Sequence, residues 1–377
     1  MSVSYGGDSI TFADSSVVSS GWTGFKNRII NGAMTIDQRN AGASSSVGTA
    51  TATYTLDRWR LYHDTAITSN ITAQQSAIVP TTGYINSQIL TNGTGASPGS
   101  SDFNAIQQRI EGYNVADLNF GSSTASTVTL SFWAYSSQTG TFSGSLTNDG
   151  TYSYVFTYTI SAANTWTQIT TTVTGDTSGT WLTTNGSGLQ VAFGLGSGSN
   201  FNATAGAWTG TANQYIPTGS VSVVGTNGAT FYITGVQLEA GTTATPFEYR
   251  QYGTELALCQ RYCYVYYRRG ASSDSNLALP GAGSFYSANG VYTNFVFPVT
   301  MRTTPTLITP NRTNAYLYPA NSSSYSSDTV SMGHTHPQGC FITSTTSTSA
   351  TGGFATNSTM ATGGWVSGDY LGFSAEL

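Results

Sequence analysis

The feature of this sequence that most constrains its fold is a two-residue alternation of apolar and polar side chains, broken at intervals by turn residues. In the segment 128–137, VTLSFWAYSS, every second side chain from Val128 to Ala134 is apolar, as in a β-strand with one buried face. Turn sequences typical of hairpins recur at residues 31–32, 148–150, 227–228 and 289–290. The pattern predicts an all-β protein whose first domain is a sandwich of about 8 to 10 strands in two sheets.

The second face of the strand at 128–137 carries two large aromatic residues, Trp133 and Tyr135. A face that does not point into the core is exposed to solvent or lies against another chain. The two rings therefore form either a platform for a sugar or a buried contact between chains, and the sequence leaves both open.

Composition supports a folded, strand-rich protein and excludes two functional classes. Charged residues make up 8% of the chain, whereas 17 Phe, 23 Tyr and 7 Trp are present, a balance unlike that of a disordered chain. With a net charge of -5 and Arg268-Arg269 as its one basic pair, the chain lacks the basic patch that nucleic-acid binding requires. It has no apolar run of about 18 residues and no signal-peptide pattern, so we expect no membrane insertion and synthesis in a cytoplasm.

The segment 231–250, FYITGVQLEAGTTATPFEYR, predicts the last core strand of the first domain, because its apolar pattern stops at Gly241. The segment 251–269 predicts a helix with one apolar face, which includes Leu256 and Cys259. A second, smaller β-sandwich is expected beyond it. The predicted organisation is an arm at 1–25, a sandwich at 26–250, a helical linker at 251–270 and a distal sandwich at 271–377.

Four charged residues near the start of the chain stand out because charges are so few: Asp37, Arg39, Asp57 and Arg58. They could supply catalytic carboxylates or a cation site. We favour structural Asp–Arg ion pairs that fix the entrances of strands, since bidentate pairs of this kind are strong. The three cysteines are expected to be small core residues, because an odd count does not suit a disulfide framework.

Several motifs resemble sequences of bacteriophage tail-fibre and other virion-fibre proteins, whose β-sandwich domain in turn resembles jelly-roll carbohydrate-binding modules. The motifs are NRIINGAMTIDQR at 27–39, DRW at 57–59, ITGVQLEAG at 233–241, TPFEYR at 245–250, ELALCQRY at 255–262 and FPVTMRTTPT at 297–306. The resemblance implies a homotrimer on the tail or capsid surface of a virion. Residues 1–25 would attach it to other virion proteins, and the helix would lie at the trimer axis.

The resemblance further implies that the distal sandwich is a receptor-binding tip for host surface polysaccharide or lipopolysaccharide. Sugars stack on exposed rings, and the ring-bearing candidates in this unit are Tyr316, Tyr318, Tyr325, Trp365 and Tyr370. Each could instead be a core or trimer-contact residue. A purely structural fibre or decoration protein of the capsid, without a receptor, is the alternative function.

His334 and His336 lie two residues apart, so both imidazoles would face the same side of a regular strand. One chain offers too few ligands for a closed metal site, but three chains around a trimer axis could hold a metal ion at the distal tip. Otherwise the histidines belong to an ordinary polar loop. No other cofactor is expected.

We expect no enzymatic activity, because the sequence lacks the common nucleophile, phosphate-binding and metalloprotease motifs. A depolymerase would need two placed carboxylates. The acidic residues that cluster in sequence are as readily structural: Asp37, Asp57, Asp64, Asp102, Glu111 and Asp117.

Overall fold

The structure is a computed structural model of the whole chain, 1–377. The residues it describes are 4–6, 9–11, 17–19, 25–47, 51–63, 70–80, 83–148, 151–211, 214–268, 276–285, 287, 289–308, 316–320, 323–327, 330–345, 355–361 and 370–377. In the strands between 4 and 19, 276 and 283, 316 and 327, and 355 and 361, only the backbone is described.

The chain divides into two compact units. The first contains Met1–Asp37, Gly42–Gln251 and Leu377, and the second contains Gln38–Ala41 and Tyr252–Glu376. The described residues are dominated by antiparallel strands, so the expected all-β fold class is confirmed.

The first unit begins with a small antiparallel sheet of three strands in sequence order: β1 (Ser4–Gly6), β2 (Ser9–Thr11) and β3 (Val17–Ser19). These strands fall within the predicted N-terminal arm. Its role in virion attachment stays a prediction.

The body of the first unit is a sandwich of two antiparallel sheets. Its strands are β4 (Ser45–Ser46), β5 (Thr51–Leu56), β6 (Trp59–His63), β7 (Ile71–Ser76), β8 (Ser87–Asn92), β9 (Phe103–Glu111), β10 (Val128–Ser136), β11 (Gly140–Thr147), β12 (Ser153–Ile160), β13 (Thr167–Val173), β14 (Ser187–Ser197), β15 (Trp208–Thr209) and β16 (Thr230–Ala240). Single 3-10 turns lie at Gly112–Asn114, Ala116–Leu118 and Ser199–Phe201. The six-stranded sheet has the order β13-β10-β16-β8-β7-β4, and the seven-stranded sheet the order β15-β12-β11-β14-β9-β6-β5.

Strands β10 and β16 lie side by side in the six-stranded sheet, and both follow the predicted alternation. On the inner face Leu130 is paired with Leu238, and both side chains are fully buried in the main core. The register shifts between Ser131 and Trp133, where β16 carries an extra residue next to Gly235. Gly235 has φ 62, so this is a bulge of the kind that glycine permits.

Two of the expected turns differ from a simple hairpin. Residues 31–32 lie in an irregular segment without strands, because the Asn31 side chain, at φ 58, bonds the neighbouring backbone in place of a ladder. Residues 227–228 precede β16 but follow no strand. By contrast, β11 and β12 pair as an antiparallel hairpin on either side of this turn, as predicted, although residues 149 and 150 themselves lie outside the described residues.

The second unit begins with the helix α1 (Tyr252–Gln260), which is shorter than the predicted helix over 251–269. Residues Cys263–Arg268 form strand β17 instead. The run of aromatic and β-branched residues there favours a strand, and the backbone pairs with the last strand of the chain. By its contacts the helix belongs to the second unit.

The remaining strands of the second unit are β18 (Asn276–Phe285), β19 (Gly290–Val296), β20 (Thr306–Ile308), β21 (Tyr316–Ala320), β22 (Ser323–Ser327), β23 (Val330–His336), β24 (Gly339–Thr345), β25 (Ala355–Ala361) and β26 (Tyr370–Ser374). They form a three-stranded sheet, β17-β26-β20, and a seven-stranded sheet, β22-β21-β25-β18-β19-β24-β23. Residues 289–290 lie in the predicted β18–β19 hairpin.

The core of the second unit is separate and smaller. It is built around Phe295, Ile342 and Phe373, which are almost completely buried. Cys259, Cys263 and Cys340 are buried, which confirms that they are core residues. Among the described residues, no helix has the length and apolarity of a membrane span.

Candidate functional site

The motifs that carry the sequence resemblance hold the first unit together. The Asn27 side chain accepts bonds from the Ile29 and Leu238 amides at 2.9 and 3.0 Å and donates to the Val236 carbonyl at 3.1 Å. The Arg28 amide donates to the Leu238 carbonyl at 2.8 Å. The NRIING motif therefore bonds the part of β16 that lies beyond its pairing with β8, although the motif is not itself a strand.

The TPFEYR motif also binds the segment 26–29, at the start of the NRIING motif. The Glu248 carboxylate accepts from the Lys26 and Asn27 amides at 3.0 and 3.2 Å and pairs with Arg250 at 3.1 Å. Arg250 also donates to the Asn27 and Ile29 carbonyls. We call Lys26, Asn27, Glu248 and Arg250 the closing clasp, since they fasten the two ends of the sandwich.

The four charged residues predicted to form ion pairs are placed in or beside these structural contacts. Asp57 and Arg58 are buried, and Arg58 donates to the Arg109 carbonyl. Asp37 accepts from the Gly42 amide at 2.7 Å. Each position is structural in character, whereas Asp–Arg pairing among the four stays a prediction.

Within the second unit, Arg39 forms an ion pair with Glu376 at 3.1 Å. Both side chains are more than nine-tenths buried. Arg302 donates to the neighbouring Ala375 and Glu376 carbonyls, each at 2.7 Å. These contacts join the segment Gln38–Ala41 to Glu376 within the second unit.

A group of seven aromatic residues lies on the outer face of the six-stranded sheet. We call it the aromatic strip; its members are Tyr84, Trp133, Tyr135, Trp166, Tyr232, Phe247 and Tyr249. Most of these side chains are half-buried, and Tyr249 is 58% exposed. The sequence singled out Trp133 and Tyr135, but not the five residues that join them from other elements.

One half of the strip is centred on Tyr135. Its ring centroid lies 4.9 Å from that of Tyr232, its cross-strand partner on β16, and 5.5 Å from that of Trp166, just before β13. The angles between ring planes are 76° and 50°, so the rings meet edge-on or tilted and do not stack flat. Such packing fixes ring orientations while leaving parts of the faces open.

The other half of the strip is centred on Tyr84. Its ring lies 5.4 Å from Phe247 and 5.8 Å from Tyr249, and its hydroxyl interacts with the side chains of Trp133 and Tyr249. A Cβ at Gly235 would lie 2.6 Å from that hydroxyl, so the bulge in β16 makes room for Tyr84. Trp133 thus joins this half through the Tyr84 hydroxyl.

The strip is electrically neutral. Burial, followed by the nearby Tyr249, raises the pKa of Tyr84 well above its ordinary value, and burial likewise raises the pKa of Tyr232. Both phenols therefore stay protonated at physiological pH. The exposed Gln168 lies opposite Trp133 on β13 and offers an amide beside the rings.

A separate pocket of about 170 Å³ lies elsewhere in the first unit; we call it the end pocket. It is lined by Val115, Ala116, Leu118, Asn119, Phe120, Ser122, Trp181, Leu182, Thr183, Gly188 and Leu189. Phe120 and Trp181 meet edge to face at 4.9 Å, and Trp208 packs against Trp181 at 5.4 Å. Sequence reasoning missed this pocket, because its walls come from loops far apart in the chain.

Three of the distal sugar-binding candidates lie on a pair of neighbouring strands. Tyr316 and Tyr318 lie on β21 and Tyr325 on β22, with Tyr318 directly opposite Tyr325, but only their backbone is described. Trp365 lies outside the described residues. Tyr370 is half-buried on β26, opposite Arg268. Sugar binding by these residues stays a prediction.

The histidine pair lies on β23, and both side chains are exposed. His334 has φ 47 and the register shifts between Gly333 and His336, so the regular alternation behind the prediction of a shared face does not apply. The His334 ring packs edge-on against Phe341 at 5.7 Å. Within the described part of one chain no group of three or more metal-ligating residues occurs, and a site shared between chains stays a prediction.

Several acidic residues considered for catalysis have structural contacts. Asp102 accepts from the Gly99 amide at 2.6 Å, and Asp117 pairs with Arg28 at 2.6 Å. Glu111 is almost completely buried, like Asp57, and Asp64 lies outside the described residues. These contacts and burial are structural in character, and the expected lack of enzymatic activity stays a prediction.

The fold defines the chain as an all-β protein with a two-sheet sandwich as its larger unit. No family model matches the chain, and a search of curated proteins finds no match. Among solved structures it is similar to a putative sugar binding protein from Bacteroides thetaiotaomicron, with 12% identity over 57% of this chain and 100% of that chain and a TM-score of 0.31.

Two further structures are similar. The enzymatically active domain of tailspike protein 4 of bacteriophage CBA120 has 13% identity over 57% of this chain and 22% of that chain, with a TM-score of 0.29. The N-terminal cellulose-binding domain of β-1,4-glucanase C from Cellulomonas fimi has 15% identity over 49% of this chain and 90% of that chain, with a TM-score of 0.25. Because these TM-scores are all below 0.5, we base the proposed function on this chain's own side chains.

Proposed function

We propose that this protein is a subunit of a bacteriophage fibre that binds glycan on the host surface, and that the aromatic strip binds the glycan chain. The observation that carries the proposal is a neutral set of rings on one sheet face, of which five are half-buried, Tyr249 is exposed and Tyr232 is buried beneath its neighbours. Sugar rings stack their C–H faces on aromatic rings and direct their hydroxyls to neighbouring amides, as Gln168 would allow.

The strip suits an extended, neutral polysaccharide. The rings follow one another across strands and the segment after β16, so that successive sugar residues would meet successive rings. The chain's net charge of -5 disfavours a strongly anionic partner. The fibre role and the homotrimer rest on the sequence resemblance, and the N-terminal arm is proposed to contact other virion proteins.

The test measures binding of the full-length protein to surface polysaccharide extracted from host bacteria. Tyr135→Leu removes a central ring while keeping an apolar side chain, and Tyr135→Phe keeps the ring. We expect the Leu variant to lose at least tenfold in affinity and the Phe variant to bind like the wild type, since stacking uses the ring face. Tyr252→Leu, an exposed position on α1, serves as the control.

The second candidate is a structural decoration protein of the capsid, in which the strip is a contact between copies. The half-buried rings support this candidate as well, because aromatic residues are enriched at protein interfaces. Light scattering of the same variants separates the two functions. Loss of oligomers in Tyr135→Leu, without polysaccharide binding in the wild type, would favour the decoration role.

A further inference from the structure

We propose that the end pocket is a second sugar site, which binds a terminal 6-deoxyhexose residue of the host glycan. This inference deepens the proposed function and rests on it for the source of the sugar. The aromatic strip would bind the glycan chain, whereas the end pocket would bind one sugar residue at the end of a glycan chain.

The size of the pocket limits the ligand to one ring. Its volume is about 170 Å³, close to the roughly 150 Å³ of an apolar cavity that accepts benzene. Pockets for drug-sized ligands start at roughly 300 Å³. The pocket therefore takes one pyranose ring, which suits the residue at a glycan chain end because only one glycosidic neighbour must then lie outside the pocket.

The floor of the pocket is apolar. Val115, Leu118 and Leu189 are almost completely buried there and carry no side-chain donor or acceptor. A sugar hydroxyl pressed against this floor would lose its bound water without gaining a partner. A methyl group in the same position would gain from burial instead. The sugar that suits the floor is one whose C6 hydroxyl is replaced by hydrogen.

The rim supplies what the rest of a sugar ring needs. Asn119 and Thr183 provide an amide and a hydroxyl, and the Phe120 and Trp181 rings form aromatic walls. The Ser122 hydroxyl instead holds the loop, since it donates to the Asn119 carbonyl at 2.8 Å and accepts from the Thr124 amide at 3.2 Å. None of the residues that line the pocket is ionisable. The occupant is therefore neutral, which excludes phosphates and uronic acids.

The walls are preformed and need no rearrangement. The Trp181 indole donates to the Asp176 carboxylate at 3.0 Å, and the Gly121 amide donates to the Asp176 carbonyl at 2.8 Å. A Cβ at Gly121 would lie 2.6 Å from the Gly179 carbonyl oxygen, so the two loops approach as closely as glycine allows. A preformed site loses little entropy when it binds a small ligand.

The experiment compares two probes, methyl α-L-fucopyranoside and methyl α-L-galactopyranoside, which differ only in the C6 hydroxyl. Both are titrated into the full-length protein, and binding is followed by ligand-observed NMR. We expect the fucoside to bind roughly ten to a hundred times more tightly, the range in which an apolar pocket rejects an added hydroxyl. Equal affinity, or no saturable binding of the fucoside, would overturn the proposal.

Two variants locate the binding. Ala116→Leu fills the pocket from a half-exposed position and should abolish fucoside binding, whereas Ala162→Leu, on an exposed loop, should leave it unchanged. Thermal unfolding confirms that both variants are folded. Fucoside binding that survives in Ala116→Leu would place the sugar elsewhere and contradict the proposal.

The aromatic strip and the end pocket can be tested independently as sugar-binding sites. Polysaccharide binding that depends on Tyr135 while the fucoside does not bind would reject the end pocket alone. Fucoside binding that depends on Ala116, without any effect of Tyr135→Leu on polysaccharide, would reject the strip alone.

Discussion

At the scale of single residues, Asn27 shows how a side chain can replace a strand. Its amide makes three bonds with the backbone of residues 29, 236 and 238, and only 4% of the residue is exposed. A regular strand would have satisfied the same groups through its own backbone. Here the chain enters the sandwich without a strand, and β16 still finds partners for its polar atoms.

We expect Asn27→Ala to lower the free energy of unfolding by about 2 to 3 kcal/mol, because it leaves buried backbone groups without partners. Urea titration measures the change. Asn70→Ala, at an exposed position, is the control. A loss in Asn27→Ala no greater than that of the control would contradict the role assigned to this side chain.

Cys340 gives the second prediction at this scale. Burial raises the pKa of its thiol from the ordinary 9.0 to about 12. The folded protein therefore holds the proton while the unfolded chain releases it, so stability falls as pH rises from about 9 towards 12.

Urea titrations at pH 8 and pH 10.5, on wild type and Cys340→Ala, test this sign. We expect the wild type to lose about 1 kcal/mol more than the variant between the two pH values, because only the unfolded chain is largely ionised at this thiol at pH 10.5. The tyrosines are common to both proteins and cancel. An identical pH dependence in the two proteins would show that the thiol is not responsible.

At the scale of elements, the bulge in β16 connects the backbone to the aromatic strip. Gly235 combines a left-handed φ of 62 with a position beside the Tyr84 hydroxyl. Gly228 has a similar φ of 67 but nothing within 4 Å of where a Cβ would lie. Substitutions at these two glycines therefore separate the energetic cost of backbone strain from the cost of steric contact with Tyr84.

We expect Gly228→Ala to cost about 1 kcal/mol, from backbone strain alone. Gly235→Ala should cost about 2 to 4 kcal/mol and also weaken polysaccharide binding, because Tyr84 must move. Chemical unfolding and binding measurements on both variants check this. If the two substitutions have equal effects, the contact with Tyr84 contributes nothing.

At the scale of the whole molecule, the two units have separate cores. The core of the first contains Phe132 between its two sheets, and that of the second contains Phe295. Units with their own cores unfold as separate cooperative blocks. Calorimetry of the intact protein should therefore show two transitions.

Phe132→Ala should lower the temperature of one transition and Phe295→Ala that of the other, each by a loss of about 3 to 5 kcal/mol in its own unit. The two variants are each other's controls. A single transition that both substitutions lower equally would mean that the chain unfolds as one block.

The sequence by itself determined the fold class, the core strands β10 and β16 and the hairpins at 148–150 and 289–290, because alternation and turn chemistry are local. It also indicated Trp133 and Tyr135 as outward-facing rings. It did not reveal that the helix is short and that β17 follows it. The backbone of β17 pairs with β26, which lies about a hundred residues later in the chain, and this pairing outweighs the local helical periodicity.

Only the tertiary structure decided where the candidate sites lie. The aromatic strip combines rings from β10, from β16 and the segment after it, and from the residues just before β8 and β13. The end pocket is formed by residues from 115–122 and 181–189. No local pattern connects such residues, because their proximity comes from sheet order and loop packing. The motifs most distinctive in sequence turned out to fasten the fold, since buried polar side chains must find partners within it.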